Sequence, residues 1–277
     1  MKFKKWKQSL TNEYKFLKAL QEVCKQLKRI ANSAGSDLDK YQQYIKSFQN
    51  SNAYKDYIRL AVTNMITGVA NQNYKTWRQA SQKAMKGQLL YKGLLQEMEK
   101  GLGKTINYMI EDNARLISTL PTDVSNKVVK NITALSYKGL RASEIAKIIE
   151  QETNKHSRAS AKLIARTEVS KATTALTQAR SQELGINWYC WRTALDGPRV
   201  RKAHRNMEDV FVNWSEPPSP ENLVGEKSVG FYHAGNIWNC RCYPEPIIEL
   251  DDYTWPHKVY YQGRIQKMTK NKFKELL

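Results

Sequence analysis

The chain of 277 residues can bury a real core in one large domain or two smaller ones, and its 45 Lys and Arg against 26 Asp and Glu give a formal charge of +19. That imbalance exceeds what solubility needs and points to a polyanionic neighbour, nucleic acid first, with acidic protein surfaces and anionic lipid as other classes. The longest apolar stretch, Ile58 to Ala70, is broken by Arg59, Thr63, Asn64 and Thr67, too short for a transmembrane helix of roughly 18 residues, and four cysteines do not make a disulfide framework.

The start carries Lys2, Lys4, Lys5, Trp6 and Lys7 but no apolar run or cleavage site after them. Secretion by the usual route is therefore not expected, and the chain reads as made in a reducing cytoplasm. The same basic start is either a solvated helix face or a surface for anionic bilayers. From Trp6 to Leu120 proline is absent and apolar residues recur at three and four, as in Phe16, Leu17, Leu20, Val23, Leu27 and Ile30. These are helices, broken first at Gly35, weakened at Gly87, Gly101 and Gly103, and restarted at Pro121. Tyr41, Tyr44, Tyr54, Tyr57, Tyr74, Trp77 and Tyr91 fall at helical spacings and read as packing anchors with a wet hydroxyl end rather than as base-stacking platforms.

Two further helices are signalled, Asp123 to Leu135 and, with Ser143 as N-cap, Glu144 to Glu152; a long one then runs from Ser157 to Glu183 and stops at Gly185. There the texture changes. Ile186 to Trp191 and Val210 to Trp214 suit strands, and seven of the eight prolines follow residue 197. The tail promises a short strand at Val259 to Tyr261, a turn at Gly263 and a basic terminal helix. The expected class is α+β: a basic, helical region over 1–120, a module over 121–250 passing from helices to mixed strands and loops after 185, and a basic tail over 251–277.

Chemistry concentrates in Asp196-Gly-Pro-Arg-Val-Arg201-Lys-Ala-His204 and Asn239-Cys240-Arg241-Cys242. Cys240 and Cys242, at i and i+2 on an extended segment, project to one side, so both sulfurs can face one ion. His204, on a short helix after Pro198, joins them if Val210 to Trp214 pairs antiparallel with the Cys240 segment. The metal would be zinc, with Asp196, His233, Cys190 or water as candidates for a fourth position. The alternative is two buried small apolar residues and a hydrogen-bonding histidine strut. Arg166 and Glu168, two apart on a helix, do not face each other, so each needs a partner elsewhere. Arg166 with Asp196, and Glu168 with Arg201 or Arg241, are the expected clamps.

The succession Ala165-Arg166-Thr167-Glu168, Gly185-Ile186, Trp191-Arg-Thr193, Asp196 with Arg201-x-x-His204, and Asn239-Cys-Arg-Cys242 resembles the Mu F-like minor head, or head morphogenesis, family of tailed bacteriophages. It covers residues 157 to 248. Where family members often carry Cys-x-x-Cys after the aspartate, this chain has Arg201-Lys-Ala-His204, a variant also found in the family. A histidine common three residues before the first cysteine is Ile237 here, and an Asp-Gly pair is replaced by Glu208-Asp209.

The resemblance implies a virion component of few copies inside the head near the portal vertex, acting in head morphogenesis, DNA packaging or delivery. Its implied partners are portal, capsid or scaffold proteins, and DNA bound without sequence preference through the basic charge. Arg166, Glu168, Asp196, Arg201, His204, Cys240, Arg241 and Cys242 carry over as motif positions with no catalytic role. The competing class is a metal-dependent nuclease or toxin-like effector, in which His204, Asp196 and a metal activate water.

Overall fold

A computed structural model describes residues 6–82, 88, 90–94, 102–135, 141–194 and 200–277. Helices α1 (Leu10–Ala34), α2 (Leu38–Asn50), α3 (Asn52–Ser81), α4 (Leu102–Ser118), α5 (Leu120–Leu135) and α6 (Ala142–Glu183) precede strand β1 (Trp188–Arg192). Helix α7 (Lys202–Asn206), strands β2 (Val210–Asn213), β3 (Tyr243–Pro246), β4 (His257–Tyr261) and β5 (Arg264–Met268), and helix α8 (Lys270–Lys274) complete an α+β fold. Gly87 and Gly101 lie outside the described residues. The chain forms two compact units, one of Leu10–Thr67 and Asn107–Glu168, the other of Met1–Ser9, Gly68–Ile106 and Val169–Leu277.

The first unit is helical. Helix α1 buries Phe16, Leu20, Val23 and Leu27 along one stripe and ends where Gly35, at φ 63°, donates its N–H to Ala31. Tyr41 and Tyr54 are packing anchors as the spacing predicts, but their hydroxyls are internal rather than wet, reaching Thr153 Oγ1 at 2.9 Å and the Ile117 carbonyl at 3.1 Å. Tyr57 keeps an exposed ring and donates to the Ala19 carbonyl. Gln49 Oε1 accepts from both the backbone N–H and the hydroxyl of Thr122, tying α2 to the start of α5.

One expectation fails in α6. The two helices predicted over 144–152 and 157–183 are one, Ala142–Glu183, and Ser143 lies inside it. Arg141 stands at the cap, its N–H donating to Glu144 Oε2 at 2.8 Å, half of a capping box. The polar stretch that suggested a break contains neither Gly nor Pro, and its side chains are satisfied. Thr153 meets Tyr41, Ser157 donates to the Asn154 carbonyl, and Asn131 donates to Glu152, which also pairs with His156. The predicted stop holds, with Gly185 at φ 72° and Ile186 N–H reaching back to Ser181.

The second unit holds a five-stranded sheet in the order β3-β1-β2-β4-β5, antiparallel except where β2 runs parallel to β4. Alternation along β1 divides two cores. Tyr189 and Trp191 join Val210, Val212, Trp214 and Tyr232 on one face, whereas Trp188 and Cys190 join Phe211, Val259, Met268 and Phe273 on the other. A third cluster gathers Trp6, Trp77, Ala80 and Leu94, the two indoles edge to face at 4.9 Å. The tail forms the expected strand, turn and helix, with an additional strand, β5, beyond the turn.

Candidate metal centre

His204, Cys240 and Cys242 converge on the first face of the sheet, all of them buried. His204 Nδ1 lies 3.6 Å from Cys240 Sγ and 3.4 Å from Cys242 Sγ. Bonds of about 2.3 Å to sulfur and 2.05 Å to nitrogen, at the tetrahedral angle, subtend an edge of about 3.6 Å. Both nitrogen–sulfur distances match such an edge, and the three donor atoms all lie within 4.8 Å of one another.

The route to this geometry differs from the predicted one. The Cys240 segment does not pair with β2; it leads into β3, which pairs with β1, while β2 lies on the other side of β1. His204, on α7, reaches the sulfurs because α7 and the 240–242 segment cover the same face, packed through Met207, Tyr232 and Ile237. Asn239, at φ 57°, makes the left-handed turn that delivers Cys240, a conformation Asn tolerates well. Gly235, at φ 89°, is a second requirement of the loop. A Cβ there would meet Thr174 Oγ1 at 2.5 Å and the Cys242 carbonyl at 2.9 Å. Thr174 on α6 also donates to the Ala234 carbonyl at 2.7 Å, so helix and loop are latched together.

Electrostatics prepare the donors. Tyr232 donates its one hydroxyl proton to Glu221 Oε1 at 2.6 Å, so at 2.9 Å from His204 Nε2 it accepts, fixing the proton on Nε2. Nδ1 then presents a bare lone pair to the sulfurs, the carboxylate-backed arrangement typical of metal-bound histidine. A hydrogen bond from the Cys242 thiol, helped by the Cys242 backbone N–H at 3.3 Å, holds the pKa of the Cys240 thiol well below its ordinary range against the opposing effect of burial. Cys242, facing that thiolate in a dry site, is pushed up. Tyr232, Glu221 and Gly235 are absent from the sequence reading. The Ala-Gly-Asn turn signals Gly235, but nothing local marks the other two.

The remaining sites fall as follows. Arg201 donates to the Trp238 carbonyl at 2.9 Å and stacks over that indole, bracing the turn before Cys240. Arg166 lies 3.6 Å from Glu13, and Glu168 is buried on α6. Asp196 lies outside the described residues. His233 is not in the cluster: its Nδ1 meets the Tyr189 hydroxyl at 3.2 Å and its ring packs on Trp214. Cys190 is on the opposite face of the sheet. Ile237, at the family's histidine position, is buried in the same apolar cluster as the two cysteines. The Glu208-Asp209 replacement keeps a left-handed turn, with Asp209 at φ 61° in the place a glycine would hold.

The other face of β1 carries a charged group that sequence reasoning did not find. Arg192 pairs with Glu245 at 2.5 Å and with Asp209, and Glu208 accepts from the Thr193 N–H and hydroxyl at 2.6 Å each. No helix among the described residues is long and apolar enough to cross a membrane.

A relative in Haemophilus influenzae, described as an uncharacterized protein, is 29% identical over 147 residues, covering 53% of this chain and 30% of its own length. No solved structure matches. Residues 122–244 match the family described as Phage Mu protein F like protein, a span holding Arg166, Glu168, His204, Cys240 and Cys242. Over that span the chain is similar to the Phage Mu protein F like family.

Proposed function

We propose that the protein is a phage head morphogenesis factor, a minor head component that works beside the portal vertex and faces packaged DNA. In this reading the His204, Cys240 and Cys242 centre is a structural zinc clamp. The observation that carries the clamp is enclosure. All three donors are buried, His204 at 2% and each cysteine at 4% exposure, which keeps a macromolecular substrate away from the ion. The ion would join α7 to the segment entering β3. The similarity to the Phage Mu protein F like family over 122–244 supports the assignment to the head, and the +19 charge suits a neighbour made of phosphates.

The test has two arms. Pull-down against portal and capsid proteins should retain the full chain, and binding to DNA of any sequence should weaken steeply as salt rises. Failure of both associations at low salt ends the assignment. Elemental analysis should find zinc in protein purified without added metal and less in Cys240→Ser. Zinc-dependent cleavage of labelled DNA that His204→Ala abolishes would replace the clamp with an enzyme.

A further inference from the structure

We propose that Cys190, Asp209 and His257 form a second metal site, taking a borderline divalent cation such as zinc through one sulfur, one carboxylate oxygen and one imidazole nitrogen. The three ligand atoms lie within 4.8 Å of one another, with Cys190 Sγ 3.6 Å from Asp209 Oδ1. They sit on the face of β1 opposite the His204 centre, so neither site borrows a ligand from the other.

The histidine supplies the independent observation. His257 is 5% exposed, and its Nδ1 lies 3.1 Å from the Thr254 carbonyl, which can only accept. The ring proton is therefore on Nδ1, and Nε2 is a bare lone pair. That atom is buried with no hydrogen-bond partner. A metal ion satisfies it, and a backbone carbonyl holding the opposite ring nitrogen is what orients a ligating imidazole.

Charge favours a cation as well. Arg192 is bracketed by Asp209, Glu245 and, at 3.9 Å, Glu208, and Lys258 Nζ donates to the Glu208 carbonyl at 2.6 Å, so three carboxylates face two cations and a further cation offsets the difference. A ligating carboxylate is normally itself hydrogen-bonded, and Arg192 does this for Asp209. Soft sulfur with imidazole and a single oxygen suits zinc or cobalt over magnesium or calcium, which take oxygen. The Asp209 side chain, 40% exposed, gives the ion an entry path and a place for water as a further ligand.

The experiment is a cobalt(II) titration of full-length protein carrying Cys240→Ser and Cys242→Ser, which disables the other centre. One equivalent should bind with a thiolate-to-cobalt absorption band. That band should vanish on adding Cys190→Ser, and His257→Gln should abolish binding with the circular dichroism unchanged. If the double variant binds no cobalt, or its spectrum ignores both further changes, the site does not exist. Should the double variant fail to fold, His257→Gln alone must bind one equivalent fewer than the parent protein. Equal stoichiometry overturns the proposal, and neither result depends on whether the His204 centre holds zinc.

Discussion

One strand, β1, serves two chemically opposite faces. On the face of Tyr189 and Trp191, the polar groups are His204, His233, the cysteines and a Tyr232–Glu221 relay, set among indoles and aliphatic side chains. On the face of Trp188 and Cys190, a buried arginine is surrounded by carboxylates beside an aromatic cluster of Phe211, Tyr253, Trp255 and Phe273. The first face relies on directed hydrogen bonds and one thiolate, the second on paired charge. A buried pair is sensitive to losing one member, because the partner is left uncompensated in a poor solvent. The two faces should therefore fail differently.

The largest difference is expected from Arg192→Ala. Its guanidinium is nearly enclosed, and removing it takes the ion-pair partner from Glu245, itself only 12% exposed, and from Asp209. Breaking a buried pair in this way costs about 3–5 kcal/mol. Urea unfolding should show that loss while zinc at the His204 centre is unchanged. Loss of both would mean that the faces are not independent.

Next comes acid sensitivity of the apolar face. Burial lowers the His233 pKa from 6.5 to about 4. Below 6.5 the unfolded chain takes up the proton and the folded one does not, so stability is full above that pH and falls until about 4. A shift of this size is worth about 3 kcal/mol across the window. His257, also held down by burial, acts in the same direction. The readout is thus the difference between the parent and His233→Gln, whose stability should fall less between pH 6.5 and 4. Parallel curves would show that His233 does not titrate in this window.

A smaller loss, about 2 kcal/mol, is expected from Gly235→Ala, which combines a left-handed φ with a backbone clash at the Cys242 carbonyl. Thermal unfolding measures it, and an unchanged midpoint would show that the loop can retreat from α6. Cobalt affinity at the cysteine pair should fall with stability, since the same carbonyl belongs to Cys242, one of the proposed ligands.

What was legible follows from locality. Gly35 and Gly185 announce their helix ends because one residue sets each turn, and Cys240-x-Cys242 announces a common direction because strand geometry alternates every residue. The break expected within α6 is absent because Thr153 and Ser157 are fully buried, a tertiary environment that their polarity does not announce. Strand β5, Arg-Ile-Gln-Lys-Met, is an edge strand with mixed exposure and leaves no clear alternation. Cys190, Asp209 and His257 meet through the pairing of β1 with β2 and the parallel pairing of β2 with β4, and sequence spacing alone does not encode that meeting.

The smallest effect is the most diagnostic for the apolar face. Tyr232→Phe keeps the ring and removes the hydroxyl that accepts from His204 and donates to Glu221. One such bond contributes about 1 kcal/mol net. Metal affinity should respond more than stability does, because without its acceptor the imidazole no longer has its proton fixed on Nε2. Loss of a partner that orients a ligand typically lowers affinity 10- to 100-fold, so zinc competition should detect what unfolding barely registers. A Tyr232→Phe protein with unaltered zinc affinity would show that the sulfurs alone position His204, and that the relay serves packing rather than the metal.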